Sequence, residues 1–185
     1  MPSALARPAR LRAVAAGLVL AASAPASAAP GETHDTKAAH VINLASYVTW
    51  PSRNAPSSEL RVCFGPDRPV PPAAAAWRGR TVNGAAATVR RLDRLDGDAL
   101  AGCHLAVLAV VAPPAVVRRA AEASGTLLVG DGPGFAARGG HLALVRRHAH
   151  DLGFHVNVRA MRAAGLRVSA RLLRLADRVI VDADG

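Results

Sequence analysis

The residues of this chain that could carry chemistry are seven histidines, two cysteines and 13 carboxylates. Histidines 141, 148, 150 and 155 crowd one stretch, close enough for a metal-site hypothesis. If the turn between the flanking apolar runs is centred near His148, His141 and His155 oppose each other across two strands. A slip of one residue would change which side chains face each other. Solvated hairpin histidines are the ordinary alternative, so no metal is expected and His141 with His155 stays the minor reading. Asp93, Asp96 and Asp98 crowd one loop, where carboxylates serve a solvated turn. G-D-G-P-G-F at Gly130 to Phe135 is neither a Walker loop nor a dinucleotide fingerprint, and reads as a turn. There is no G-x-S-x-G nucleophile motif. The chain is read as a non-enzyme without a cofactor.

Composition and the chain's start bound the scaffold that positions these residues. Residues 1–28 read as a secretory signal, with Arg7, Arg10 and Arg12, an apolar run from Ala13 to Ala24, and the small-residue cleavage site Ala26-Ser27-Ala28. That run is too short for a membrane span, which needs about 20 residues. The expected organisation is a polar lead-in over 29–35 and one domain over 36–181, long enough to bury a core. Formal net charge is +10, and +7 for residues 29–185, which hold 20 Lys and Arg against 13 Asp and Glu. Aromatic residues make up only 3%, too few for the stacking platforms of a nucleic-acid binder. Such a charge fits attraction to an acidic protein face or to anionic lipid headgroups.

Apolar spacing predicts a helix from Thr36 to Val48, ended by Pro51. Strands follow at 60–64 and 87–92, with a loop and short helix across Pro69 to Trp77 and a helical turn over Asp96 to Ala101. The almost continuous aliphatic run from His104 to Val111 reads as a strand buried on both faces at the sheet's centre. Pro113-Pro114 opens a helix to Ala123 with Gly125 as its stop, then Leu127 to Gly130 forms a strand. His141 to Arg146 and Leu152 to Val158 read as an antiparallel hairpin, entered through Gly139-Gly140, where glycine tolerates positive φ. Ser169 caps a final helix from Ala170 to Val179, with Leu172, Leu173, Ala176, Val179 and Ile180 as its buried stripe. The fold class is α/β, a single-domain mixed β-sheet flanked by helices.

Trp50-Pro51 has two readings. Trp50 packs over the end of the sheet while Pro51 ends the helix, or Trp50 is a surface anchor for a partner. The two cysteines, Cys63 and Cys103, form an even pair, and in an exported protein such a pair favours a bridge over two buried thiols.

Several blocks in fixed order carry a family resemblance. These are K-A-A-H-V-I-N-L-A-S-Y-V-T-W-P at Lys37 to Pro51, R-V-C-F-G at Arg61 to Gly65, L-A-G-C-H at Leu100 to His104, and L-L-V-G-D at Leu127 to Asp131. They continue with G-F-A-A-R-G-G at Gly134 to Gly140, F-H-V-N at Phe154 to Asn157, and G-L-R-V-S-A-R-L-L-R-L-A at Gly165 to Ala176. In these the chain resembles the YfiR family, the DUF4154 domain. The resemblance implies a periplasmic, non-enzymatic regulator with a Cys63–Cys103 disulfide. It implies structural roles for Gly130, Gly139, Gly140, Asn157, Leu172 and Leu173, and partner contacts at Trp50, Pro51 and Phe135. The implied partner is the periplasmic domain of an inner-membrane diguanylate cyclase, whose cyclic di-GMP synthesis is repressed, or of a sensor kinase. A homodimer is a further expectation, and a small-ligand sensor the alternative function.

Overall fold

Apolar residues at helical spacing begin the fold. The computed structural model describes residues 30–110, 113–148 and 151–181. Helix α1 (Pro30–Ala45) buries Ala38, Val41, Ile42, Leu44 and Ala45. After it come β1 (Val48–Thr49), a 3-10 turn (Ser52–Asn54), β2 (Glu59–Phe64), α2 (Pro72–Ala75), β3 (Thr81–Val82) and β4 (Ala85–Arg91). The middle of the chain forms α3 (Gly97–Ala101), β5 (Leu105–Val107), α4 (Ala115–Ser124), β6 (Leu127–Asp131) and α5 (Pro133–Ala137). The hairpin β7 (Leu142–His148) and β8 (Asp151–Asn157) follows, then α6 (Val158–Ala163), β9 (Arg167–Val168), α7 (Ala170–Leu175) and β10 (Arg178–Ile180).

Eight strands join one mixed sheet in the order β10-β8-β7-β6-β5-β2-β4-β3, and β1 pairs with β9 separately. Strands β4, β2, β5, β6 and β7 run parallel, whereas β8 is antiparallel to β7 and β3 to β4. Because side chains alternate across a strand, each central strand feeds two cores. Leu105, Val107, Leu127, Val129, Leu142 and Leu144 enter one layer with α1, Met161 and Leu172. Cys63, Ala106, Leu128 and Ala143 enter the other with α4 and α5. The chain is therefore the expected α/β arrangement, a mixed sheet flanked by helices.

Strand β5 sits inside the sheet with both faces buried, as the aliphatic run required, but its ordered part is only Leu105–Val107 and Val111 lies outside the described residues. Gly125 closes α4 in the left-handed conformation, φ 76°. Gly139 enters the hairpin with φ 94°, which glycine alone adopts cheaply.

Three boundaries differ from expectation. Helix α1 starts at Pro30 and stops at Ala45, so Pro51 does not end it; Val48 has the right spacing for a helix but pairs with Val168 as a strand. Helix α7 ends at Leu175, because Asp177 N–H is drawn to Phe154 O and the chain joins the sheet beside β8. Of the expected helical stripe Leu172 is fully buried and Leu173 partly so, while Val179 and Ile180 belong to β10. Third, the turn expected at Gly130 to Phe135 contains the start of the short helix α5. The signal and cleavage site of 1–28 lie outside the described residues.

Candidate functional site

The Trp50–Asn54 segment crosses the end of the sheet where the parallel strands begin. Trp50 is buried and its indole Nε1 donates to His104 O at 2.9 Å. Asn54 Nδ2 donates to Cys103 O at 3.1 Å. Arg53 donates to Ala123 O at 2.9 Å, to Glu122 O at 2.9 Å and to Ala164 O at 2.8 Å. Those last three carbonyls belong to the C-terminal ends of α4 and α6, where carbonyls lack intrahelical donors and the dipole favours a cation. Pro51 seats against Gly125 and Gly165, leaving no room for a Cβ at Gly125. The motif therefore staples strand β5 and two helix ends. Sequence reasoning missed Arg53 and Asn54; the available signal was two strong donors directly after Trp-Pro.

Behind the staple lies the Cys63–Cys103 disulfide, with Cα atoms 5.9 Å apart and both cysteines fully buried. The pairing is the one the family resemblance implied. Arg90 covers the bond, its Nε 3.3 Å from Cys63 Sγ and its Nη2 3.5 Å from Cys103 Sγ. Such burial suits a structural bond, whereas redox sensors need an accessible one.

Phe135 is fully buried. Its ring lies between Gly130 and Gly140, and a Cβ on either glycine would overlap it. This corrects Phe135 as a partner contact, because a side chain sealed between two backbones offers nothing to a surface. Asn157 caps α6 by accepting from Ala160 N–H at 2.9 Å and donates to Ala136 O at 2.8 Å. It thereby locks α5 to the hairpin.

His141 and His155, the minor metal reading, do not face each other across the hairpin. Leu142 pairs with Val156, so His155 stands opposite Ala143 and Asn157 opposite His141. His148 pairs with Asp151, three residues from the expected register, and the irregularity between Arg146 and His148 takes one of these back, leaving an offset of two. Among the described residues no group of three or more His, Cys, Asp or Glu is placed to hold a metal. His141 instead imitates a strand residue: its backbone N–H donates to Leu128 O at 3.2 Å and its ring Nδ1 accepts from Leu128 N–H at 3.0 Å. His104 does the same to Arg61, at 2.9 and 2.8 Å.

Both rings must stay neutral to accept. Burial pushes the His141 pKa from 6.5 down to about 3. Burial, with Arg61 adding to it and Glu59 opposing it, pushes His104 to about 4. Unfolded histidine binds its proton near pH 6.5, so between that value and the folded pKa the unfolded chain holds more protons. Stability is therefore complete above pH 6.5 and falls on acidification, by up to about 1.4 kcal/mol per pH unit from His141 alone. Urea unfolding at pH 7.5 and pH 5 is expected to show this loss. His141→Asn, whose amide oxygen can accept from Leu128 without titrating, should flatten the profile.

At the opposite end of the parallel strands Asp131 meets Arg68 at 2.7 Å and Lys37 at 3.0 Å. Burial disfavours the Asp131 charge, but the hydrogen bond and charge of Arg68, reinforced by Lys37, outweigh it and hold the carboxyl below its usual pKa. The cluster ties α1 and the loop after β2 to β6.

Beside the staple a cleft of about 260 Å³ opens to the surface between β1 and β3. Val48, Trp50, Leu60 and Val82 make its apolar floor, and Thr49, Ala55 and Asn83 form an exposed rim. Trp50 thus packs over the sheet and also walls this cleft.

Fold and core define a disulfide-stapled mixed α/β domain. The chain belongs to the YfiR/HmsC-like family, whose DUF4154 model matches residues 34–177. No curated protein matches the chain. Among solved structures, the ABC domain in complex with L-Trp from Streptococcus pneumonia is similar at TM-score 0.45 and 9% identity, over 80% of this chain and 62% of that one. A conserved domain protein from Vibrio cholerae is similar at TM-score 0.45 and 10% identity, over 79% of this chain and 60% of that one. The chain spans about three fifths of the length of each. Among the described residues no helix is long and apolar enough to cross a membrane.

Proposed function

We propose that the protein is an exported periplasmic regulator, without enzymatic activity, that docks onto the periplasmic domain of an inner-membrane diguanylate cyclase and holds its cytoplasmic catalytic domain inactive. The observation that carries this reading is the family match over residues 34–177. The structural roles of the motif residues agree with it: Trp50, Pro51, Arg53, Asn157 and Phe135 serve the scaffold, which leaves function to the surface. Docking free energy then biases a two-state membrane protein toward its off state. Cells lacking the protein should hold more cyclic di-GMP than cells complemented with it. Equal levels would remove the cyclase from the proposal.

The cleft walled by Trp50 favours a second reading, in which a small apolar ligand seats there and a sensor kinase reads the complex. A thermal-shift screen of small apolar compounds against the wild type and a Val82→Asp variant distinguishes the two.

A further inference from the structure

Charge is unevenly distributed over the surface. From Val158 to Gly185 six arginines stand against three side-chain carboxylates, Asp177, Asp182 and Asp184, and Asp177 is already held by Arg147 of β7, whose Nε lies 2.7 Å from its Oδ1. The same stretch carries three of the five large hydrophobics that are exposed among the described residues: Leu175 at 55%, Val179 at 36% and Val181 at 52%. The scaffold holds this face outward. Ser169 caps α7, Leu172 plugs the core and Arg171 lies over the Tyr47 ring at 5.8 Å. Arg171, Arg174 and Leu175 therefore occupy the outer side of α7, and β10 with Arg178 and Val179 is the open edge of the sheet.

We propose that α7 and β10 form a membrane-surface contact that binds anionic phospholipid headgroups, with Arg171 and Arg174 facing phosphates and Leu175, Val179 and Val181 reaching the acyl boundary. Guanidinium pairs phosphate oxygens with two parallel hydrogen bonds, and single aliphatic side chains set among basic ones are the pattern of an interfacial contact. A second copy of this chain would bring an equally positive face, so like charges oppose a homodimer here. Protein interfaces draw on aromatic anchors, and residues 158–181 contain none. The inference does not depend on which membrane protein is regulated.

Co-sedimentation of the protein, residues 29–185, with vesicles tests it. Vesicles of phosphatidylglycerol and phosphatidylcholine should retain the protein at low salt, pure phosphatidylcholine should not, and added salt should release it. Each arginine near an anionic surface is worth about fivefold, so the double variant R171Q/R174Q should bind roughly 25-fold more weakly. A double variant at the other sheet edge, R78Q/R80Q, should bind as the wild type does, and matched melting curves show that the variants fold. Leu175→Ser with Val179→Ser should weaken binding without changing its salt dependence. Equal retention by both vesicle types, or unchanged binding of R171Q/R174Q, overturns the proposal. Binding to polyglutamate but not to vesicles would also overturn it and assign the face to an acidic protein.

Discussion

A Cys63→Ala/Cys103→Ala variant is expected to lose about 4 kcal/mol of stability. The bond joins residues 40 apart in sequence, and in the chain-entropy model closing a loop of that size stabilises by about that amount. Typical domains have only about 5–15 kcal/mol in total, so the loss is a large fraction of the whole. The location adds to it. Cys63 stands in β2 between β4 and β5, and Cys103 immediately precedes β5, so the bond ties the start of the central strand covalently to its neighbour, where otherwise only hydrogen bonds such as those of Trp50, Asn54 and Thr126 hold it. Denaturant unfolding of wild type and variant measures the difference directly, and a change under about 1 kcal/mol would mean that the packing around the sulfurs does the work. Because both cysteines are fully buried, a mild reductant should leave the native bond intact and cleave it readily in denaturant. Rapid reduction of the folded protein would contradict a structural role.

Trp50→Ala is expected to cost about 3–5 kcal/mol, the range for deleting a buried large aromatic. Two effects combine. The substitution empties the space between β1 and the sheet, and it removes the indole donor to His104 O. Trp50→Phe separates them, since it keeps most of the apolar volume and loses only the indole N–H. His104 O keeps its bond from Leu127 N–H, so the expected cost is about 1 kcal/mol, the net worth of one hydrogen bond. Should Trp50→Ala unfold at nearly wild-type denaturant and instead abolish partner binding, Trp50 would be a surface anchor and the staple would be incidental.

The long elements were legible because their periodicity spans enough residues. Val41, Ile42, Leu44 and Ala45 mark one helical face, and Leu105 to Leu108 is apolar on both faces, so both elements could be read from local pattern. Strands of two residues were not. Val48–Thr49, Thr81–Val82 and Arg167–Val168 are defined by the partner that meets them, and no window of sequence contains that partner. The same reason explains β10: Val179 and Ile180 continue the spacing of Leu172 and Leu173, but the free hydrogen-bonding edge of β8 captures them as a strand. Register failed by two residues at His141, which faces Asn157, because an off-centre turn shifts every cross-strand pair.

At the candidate site the resemblance supplied the residues and the structure supplied their work. Gly130 and Gly140 exist to admit the Phe135 ring, which no spacing reveals. Arg53 and Asn54 act on carbonyls contributed by chain 49 to 111 residues away, and such long-range donors leave no local pattern. The result is a signature motif whose residues bind the protein's own backbone, and recognition of a partner is left to the surfaces the scaffold displays.

Retention of a membrane protein is the most direct test of that account. Tagged protein covering residues 29–185 would be incubated with detergent-solubilised membranes of its own cells, and the retained proteins identified by mass spectrometry. The account predicts recovery of an inner-membrane protein with a periplasmic domain and a cytoplasmic diguanylate cyclase domain. Failure to retain any membrane signalling protein, with the bait folded and its disulfide intact, would contradict it.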